Sequence, residues 1–368
     1  MFFWKVRLSA LTDRMRPSVH SVGVDGGLAR IGMSFLVKIT AIIPVKLNSE
    51  RMDLPSRLLR LVHQCVAQGV KVAIAQEYGK KTEIIPNEVI SLDGVKLVAY
   101  ESTSAFNLAK ARNKALEIVD TEWVIFLDAD LLLPNSFLEM INKVLHNKFA
   151  RSPSFFLSVP VFYLSKNSSA LSLTNNSGCA DLIYGNGEVE HWALSSSVIL
   201  TRKSTIRSLG GYNEEYCGWG YEDHDMAARL VSRDATFLVP DYPHIFDPRP
   251  MQSLTRYLGW RAKYALYGRL SLEYGLYLVH EYHPKNNDFV DFELVDRNRK
   301  IFRENLKKIK FMNFKKVHFS ASSMIYAQYY LYFEQKRNGK VLAMVKDWLL
   351  RSPGFVKTYQ KLRSFLTN

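Results

Sequence analysis

Cysteine is nearly absent from this chain: three in 368 residues, Cys65, Cys179 and Cys217. An odd number at wide spacing makes neither a disulfide framework nor a zinc site, so a reducing cytoplasm is the expected compartment. Long apolar runs are missing too. No stretch reaches the ~18 uninterrupted apolar residues of a membrane span. The opening Met1-Phe2-Phe3-Trp4-Lys5-Val6-Arg7 lacks the apolar core of a secretory signal. There is no internal repeat and no low-complexity tract. Glycine is absent just after the first strong apolar run, where the chain reads Pro44-Val45-Lys46-Leu47-Asn48. A Gly-rich phosphate loop is therefore lacking at the position where a sugar nucleotidyltransferase would want one. Residues 1–32 have little order-forming pattern, because Gly23, Gly26 and Gly27 interrupt any helix. They read as a poorly structured extension, with translation expected to start at Met33; N-terminal sequencing that finds a native Met1 would refute this.

What is present is ordinary for a globular protein: 47% hydrophobic and 23% charged residues. The net charge of +14 is lopsided, since from Asn305 onward 13 Lys and Arg face only Glu334 and Asp347. The basicity thus belongs to a tail, and no nucleic-acid-binding module accompanies it, so nucleic acid is not an expected partner. The expected organisation is residues 1–32 as an extension, 33–304 as the main domain, and 305–368 as a basic helical C-terminal extension. In that extension Val341–Leu350 and Phe355–Leu366 read as amphipathic helices around Pro353-Gly354.

Within 33–304 the hydrophobic periodicity alternates. Val37–Val45 is apolar and β-branched, a buried strand. Asp53–Ala67 places Leu54, Leu58, Leu61, Val62 and Cys65 at helical spacing. Val70–Ala75, Val95–Ala99 and Trp123–Leu127 read as strands, and Asn107–Val119 as a helix. Strands near Phe155–Val161 and Ala193–Thr201 follow, then helices at Lys203–Leu209 and from Glu222–Asp225 through Leu230. This predicts an α/β fold with a mostly parallel central sheet. Ligands of such sheets gather at the carboxyl ends of strands.

Two acidic clusters carry the chemistry. Asp128-Ala129-Asp130 directly follows an apolar strand, so both carboxylates can face one cleft. One can hold Mg²⁺ or Mn²⁺ against a diphosphate while the other takes a ribose hydroxyl. Gly218-Trp219-Gly220-Tyr221-Glu222-Asp223-His224-Asp225 is the second. Its glycines suggest a mobile loop, its tryptophan a platform for a sugar face, and its acids a general base. The acids also suit a helix N-terminus, and that alone would explain them structurally.

Four segments in a fixed order add a resemblance: Phe106-Asn107-Leu108-Ala109-Lys110-Ala111-Arg112-Asn113, Phe126-Leu127-Asp128-Ala129-Asp130, Gly210-Gly211-Tyr212-Asn213, and Trp219-Gly220-Tyr221-Glu222-Asp223. Over roughly residues 38–300 the chain resembles β-1,4-galactosyltransferases and the bacterial family-2 glycosyltransferases of chondroitin-polymerase type. The resemblance implies a GT-A fold, a UDP-sugar donor, Mn²⁺ (or Mg²⁺) and inversion at the anomeric carbon. It implies donor contacts at Pro44, Val45, Lys46, Phe106, Leu108, Arg112, Asp128 and Ala129. Asp130 matches the metal-binding acid, with Asp128 as the lesser candidate. Asp223 matches the catalytic base, Glu222 an acceptor-binding acid, and Trp219 with Gly220 the loop that closes over the sugars. His280-Glu281-Tyr282-His283-Pro284 resembles the His-x-x-His-Pro of such bacterial enzymes. His280 is the first candidate for a histidine ligand, His283 the second and His244 a weaker third. The chain departs from the animal enzymes at Tyr277, where they carry a methionine ligand, and in lacking their disulfides. The acceptor implied is a glycan or lipid-linked glycan hydroxyl, in bacterial surface polysaccharide synthesis. The basic tail either packs on the catalytic domain or touches anionic membrane lipid at the inner face of the plasma membrane; flotation with liposomes of a chain ending at Asn305 separates the two. A non-catalytic glycan-binding subunit is the rival from another class.

Overall fold

A computed structural model describes residues 37–47, 52–79, 84–102, 105–146, 148–168, 189–234, 239–246, 250–251, 258–283 and 291–312. The expectations for residues 1–32, for Cys179, for Pro284 and for the tail beyond residue 312, including its two helices and its membrane contact, lie outside these residues.

An eight-stranded mixed sheet organises the chain in the order β3-β2-β1-β4-β7-β6-β8-β5. The strands are β1 (Ile39–Val45), β2 (Lys71–Tyr78), β3 (Val95–Glu101), β4 (Trp123–Phe126), β5 (Leu131–Leu132), β6 (Phe156–Leu164), β7 (Val189–Arg202) and β8 (Leu278–His280). β1 pairs in parallel with β2 and β4, β2 with β3, and β6 with β8. β7 lies antiparallel between β4 and β6, and β5 antiparallel to β8. β1, β2, β3, β4, β6 and β8 therefore share one direction. β1 is central and buried at all seven positions, which explains its unbroken apolar, β-branched sequence.

The helices are α1 (Leu54–Ala67), α2 (Asn87–Ile90), α3 (Leu108–Ile118), α4 (Phe137–Leu145), α5 (Lys203–Ser208), α6 (Glu222–Arg233), α7 (Gly259–Glu273) and α8 (Phe292–Lys308). α1 buries Leu58, Leu61, Val62 and Cys65, one stripe at i, i+3, i+4 and i+7. It stops where Gly69 takes φ +78° and the Val70 N–H donates to the Cys65 carbonyl at 2.9 Å. Asn107 caps α3, its side chain accepting from the Lys110 N–H. α3 packs over β1 and β2, α7 over β6, α6 against β7 and α7, and α8 against α6.

Two elements differ from the sequence-based expectation. α7 has no amphipathic stripe, because Gly259 to Gly268 are all buried, including Lys263, whose ammonium pairs with Asp234 at 2.9 Å. A helix buried all round loses the period by which it would be read. α8, capped by the Asp291 carboxylate on the Glu293 and Leu294 N–H groups, runs across the expected boundary at residue 304. Residues 309–312 continue onto the main body, the Met312 N–H donating to the Ser232 carbonyl at 3.0 Å. Among the described residues no helix is long and apolar enough to cross a membrane.

Candidate functional site

The carboxyl end of β4 delivers Asp128-Ala129-Asp130 to a cleft, as the strand pattern requires. Sheet register does the rest. His280 ends β8 and pairs with Leu131 of β5 on one side and with Tyr163 of β6 on the other. This brings residues 150 apart in sequence into contact. His280 Nε2 lies 3.4 Å and His283 Nε2 3.6 Å from Asp130 Oδ2. One ligand atom from each of the three residues lies within 4.8 Å of the other two. Donor atoms held about 2.1 Å from a shared ion stand roughly 3–3.5 Å apart, so this spacing suits a cation. One carboxylate and two imidazoles are a ligand set that suits a divalent metal ion.

The histidine loop is fixed from outside. Arg57 of α1 donates to the Tyr282 carbonyl at 3.1 Å and the Glu281 carbonyl at 3.4 Å, and Arg60 pairs with the Glu281 carboxylate. From inside, the Tyr163 ring lies 4.8 Å from His280 and stacks on His191 at 4.4 Å. Burial, then the charges of Asp128, Asp130 and Asp223, push the Tyr163 phenol upward. His244, the third histidine considered, is elsewhere: its Nε2 lies 2.9 Å from the Ile309 carbonyl beyond α8. Tyr277 is buried against Phe162, away from the ligand atoms.

Asp128 sits between the two halves of the site. It accepts from Ser197 Oγ at 2.8 Å and lies 3.6 Å from the Arg112 guanidinium. Although 41% of its side chain is accessible, the walls of the cleft desolvate it. That raises its pKa, with Asp130 and Asp223 adding to the rise and Arg112 and Ser197 opposing it. Ala129 is buried beside it.

Arg112 is 1% exposed and donates to Glu222 Oε1 at 2.7 Å, with its guanidinium 5.1 Å from the Tyr212 ring centre. Both residues were expected to meet ligands, Arg112 the nucleotide and Glu222 the acceptor. In the structure the two form a buried ion pair tying α3 to α6, and Glu222 is only 4% exposed. Burial, then the charge of Asp223, lift the Glu222 pKa against the pull of Arg112.

Asp223, one residue on, differs. It accepts from Ser196 Oγ at 2.5 Å and from the His224 N–H at 2.7 Å. Burial opposes its ionisation, but His224, Ser196 and Arg112 together hold its pKa below the ordinary value. His224 is enclosed by Tyr221, Phe246, Trp260 and Phe302 at ring distances of 5.5–6.0 Å, and burial lowers its pKa.

The loop before α6 is held open by backbone conformations rare for side-chain-bearing residues: Gly218 (φ +70°), Gly220 (φ +98°) and Tyr221 (φ +75°). Asn298 of α8, fully buried, clamps it by donating to the Cys217 and Gly220 carbonyls at 2.8 and 3.1 Å. Trp219 projects outward, 64% exposed. The Gly218 N–H donates to the Phe106 carbonyl, joining the loop to the segment of Phe106 and Leu108, both half-buried. On the far side, Pro44 and Val45 are buried in β1, and Lys46 after them pairs with Glu77 at 2.8 Å. Glu77 also accepts from the Tyr100 hydroxyl and the Asn107 N–H, both at 3.3 Å. Glu77, Tyr163, Ser196, Ser197 and Asn298 were not identified from sequence. Only the Ser195-Ser196-Ser197 run offered a visible signal.

Residues 40–308 match the model of the glycosyltransferase-like family 2. The chain belongs to that family. This glycosyltransferase also resembles solved structures at low identity. One is the Drosophila β-1,4-galactosyltransferase 7 mutant in complex with manganese, UDP-Gal and xylobiose (15% identity, 51% of this chain, 59% of that one, TM-score 0.27). Others are S. aureus TarS 1-349 (15%, 53% and 55%, TM-score 0.33) and the same fragment with UDP (17%, 53% and 55%, TM-score 0.34). The glycosyltransferase thus spans between half and two thirds of the length of these structures. Among curated proteins, none matches it.

Proposed function

We propose that this glycosyltransferase moves a hexose or N-acetylhexosamine from a UDP-sugar to a hydroxyl of a glycan acceptor, with inversion, in surface polysaccharide synthesis. The observation that carries the reading is the convergence of Asp130, His280 and His283, with Asp128 and Asp223 held by the adjacent hydroxyls of Ser197 and Ser196. Asp130, His280 and His283 would hold Mn²⁺, which when bound supplies positive charge to the diphosphate as it departs. Asp128, next to them, accepts a hydrogen bond from a ribose hydroxyl. Lys46, Phe106 and Leu108 flank the nucleotide. Trp219 covers the sugars and excludes water.

Asp223 takes the proton from the acceptor hydroxyl as that oxygen bonds to the anomeric carbon. The bond from that carbon to the phosphate oxygen breaks, and its electron pair leaves with UDP. Its neighbours hold the Asp223 pKa below the ordinary value, which favours the carboxylate form that can accept a proton. Attack from the face opposite the leaving group inverts the configuration. Arg112 and Glu222 hold α6, and thus Asp223, in place.

A panel of UDP-galactose, UDP-N-acetylgalactosamine, UDP-glucose, UDP-N-acetylglucosamine and UDP-glucuronic acid, followed by Mn²⁺-dependent UDP release, tests the reading. The expected result is turnover of one or two donors that Asp223→Asn abolishes while UDP still binds. Equal loss of turnover and UDP binding would make Asp223 structural, and a retained anomeric linkage would refute the single displacement. A chain that releases UDP from none of the five would favour a non-catalytic glycan-binding role.

A further inference from the structure

β7 carries an irregularity at the point where it passes the site. Leu194 stands opposite Pro160 of β6 and Ile199 opposite Ser158, so four residues of β7, Ser195 to Val198, face Val159 alone. A regular strand sends neighbouring side chains to opposite faces, so Ser196 and Ser197 could not both reach acids of one cleft. A bulge removes that restriction and re-aims side chains. Here Ser197 Oγ donates to Asp128 Oδ2 at 2.8 Å, and Ser196 Oγ donates to Asp223 Oδ2 at 2.5 Å.

The bulge is itself anchored. Ser195 Oγ lies 2.7 Å from Ser197 Oγ and accepts from the Ser197 N–H at 3.2 Å. The Ser195 carbonyl accepts from Ser158 Oγ of β6 at 2.9 Å and from the Tyr264 hydroxyl of α7 at 3.1 Å. Ser196 is buried and Tyr264 fully so. Each serine hydroxyl therefore has a fixed frame behind it and one carboxylate in front.

We propose that the Ser195–Val198 bulge is a positioning element that sets the spacing between the two halves of the reaction. Ser197 orients Asp128 for the donor, and Ser196 orients Asp223 for the acceptor. The proposal rests on the transferase reading above. Asp128 and Asp223 come from different elements, the β4 end and the α6 start, and the bulge touches both. Removing one hydroxyl leaves its carboxylate free to rotate while the other stays held, so the two serines have separable effects.

The test is Ser196→Ala and Ser197→Ala in the full chain. Mn²⁺ and UDP binding are measured by calorimetry, and steady-state kinetics use whichever of the five UDP-sugars the wild type turns over fastest. Ser196→Ala is expected to lower kcat by about tenfold or more while UDP and Mn²⁺ affinities stay within about twofold. Ser197→Ala is expected to weaken UDP binding in Mn²⁺ by about fivefold or more, with a smaller loss in kcat. Ser196→Thr and Ser197→Thr keep the hydroxyl and should recover most of each loss, which separates the missing hydrogen bond from a damaged fold. An active wild type whose two alanine variants stay near wild type, or lose binding and turnover in parallel, overturns the proposal. A wild type that turns over none of the five donors removes the underlying reading, and the proposal with it.

Discussion

Replacing Arg112 by methionine decides what Glu222 is for. The guanidinium is almost fully buried and donates to Glu222 at 2.7 Å. Methionine keeps much of the apolar length but removes the charge, leaving a buried carboxylate with no cation. Breaking a buried pair in this way costs about 3–5 kcal/mol. Glu222 has an escape, because burial already raises its pKa to about 7. Without Arg112 that value rises further, and the folded protein keeps the proton where the unfolded chain has released it. The sign follows from linkage: a carboxyl group with a raised folded pKa takes stability away as pH rises past its unfolded value. Wild type already loses this stability up to about pH 7, so Arg112→Met should lose a further ~1.4 kcal/mol per pH unit relative to wild type only above about pH 7, up to its own higher folded pKa. Arg112→Met/Glu222→Gln has no such proton to hold, so relative to wild type its urea-unfolding stability should rise between about pH 4.5 and about pH 7 and stay level above that. Urea titrations monitored by tryptophan fluorescence at four pH values measure this. If Arg112→Met is as stable as wild type at about pH 8, and Glu222→Gln abolishes turnover without loss of stability, Glu222 acts on substrate and the buried-pair account fails.

Three further outcomes are expected. His280→Ala and His283→Ala should each weaken Mn²⁺ binding, read by electron paramagnetic resonance, by more than about tenfold, whereas His244→Ala leaves it unchanged. Asn298→Ala, which strips two half-buried carbonyls of their donor, should cost about 1–2 kcal/mol of unfolding stability and raise the acceptor KM by loosening the Trp219 loop. Glu273, at the end of α7, has one buried carboxylate oxygen without a partner among the described residues, and burial raises its pKa to about 7. Its ionisation therefore takes stability away as pH rises from its ordinary value through about 7, and Glu273→Gln should melt higher than wild type at pH ~8 but not at pH ~5.

Sequence alone determined the first half of the fold and singled out most of the acids as candidates. β1 and α1 announce themselves because their burial is one-sided or complete over a regular period, and local pattern is enough to read that. Asp128, Asp130 and Asp223 were legible because a strand end and a helix start are local features. The pairing of His280 with Asp130 was not local. It depends on β8 lying between β5 and β6, a register set by packing across 150 residues. α7 was invisible because it is buried on every side and so has no stripe. The tertiary structure also separated neighbours that sequence treats alike. Glu222 and Asp223 are adjacent on one helix, yet 100° of helical rotation points one into Arg112 and the other to Ser196. Which acid faces the cleft is decided by what packs behind each, and that information resides in α3 and β7, not in the motif.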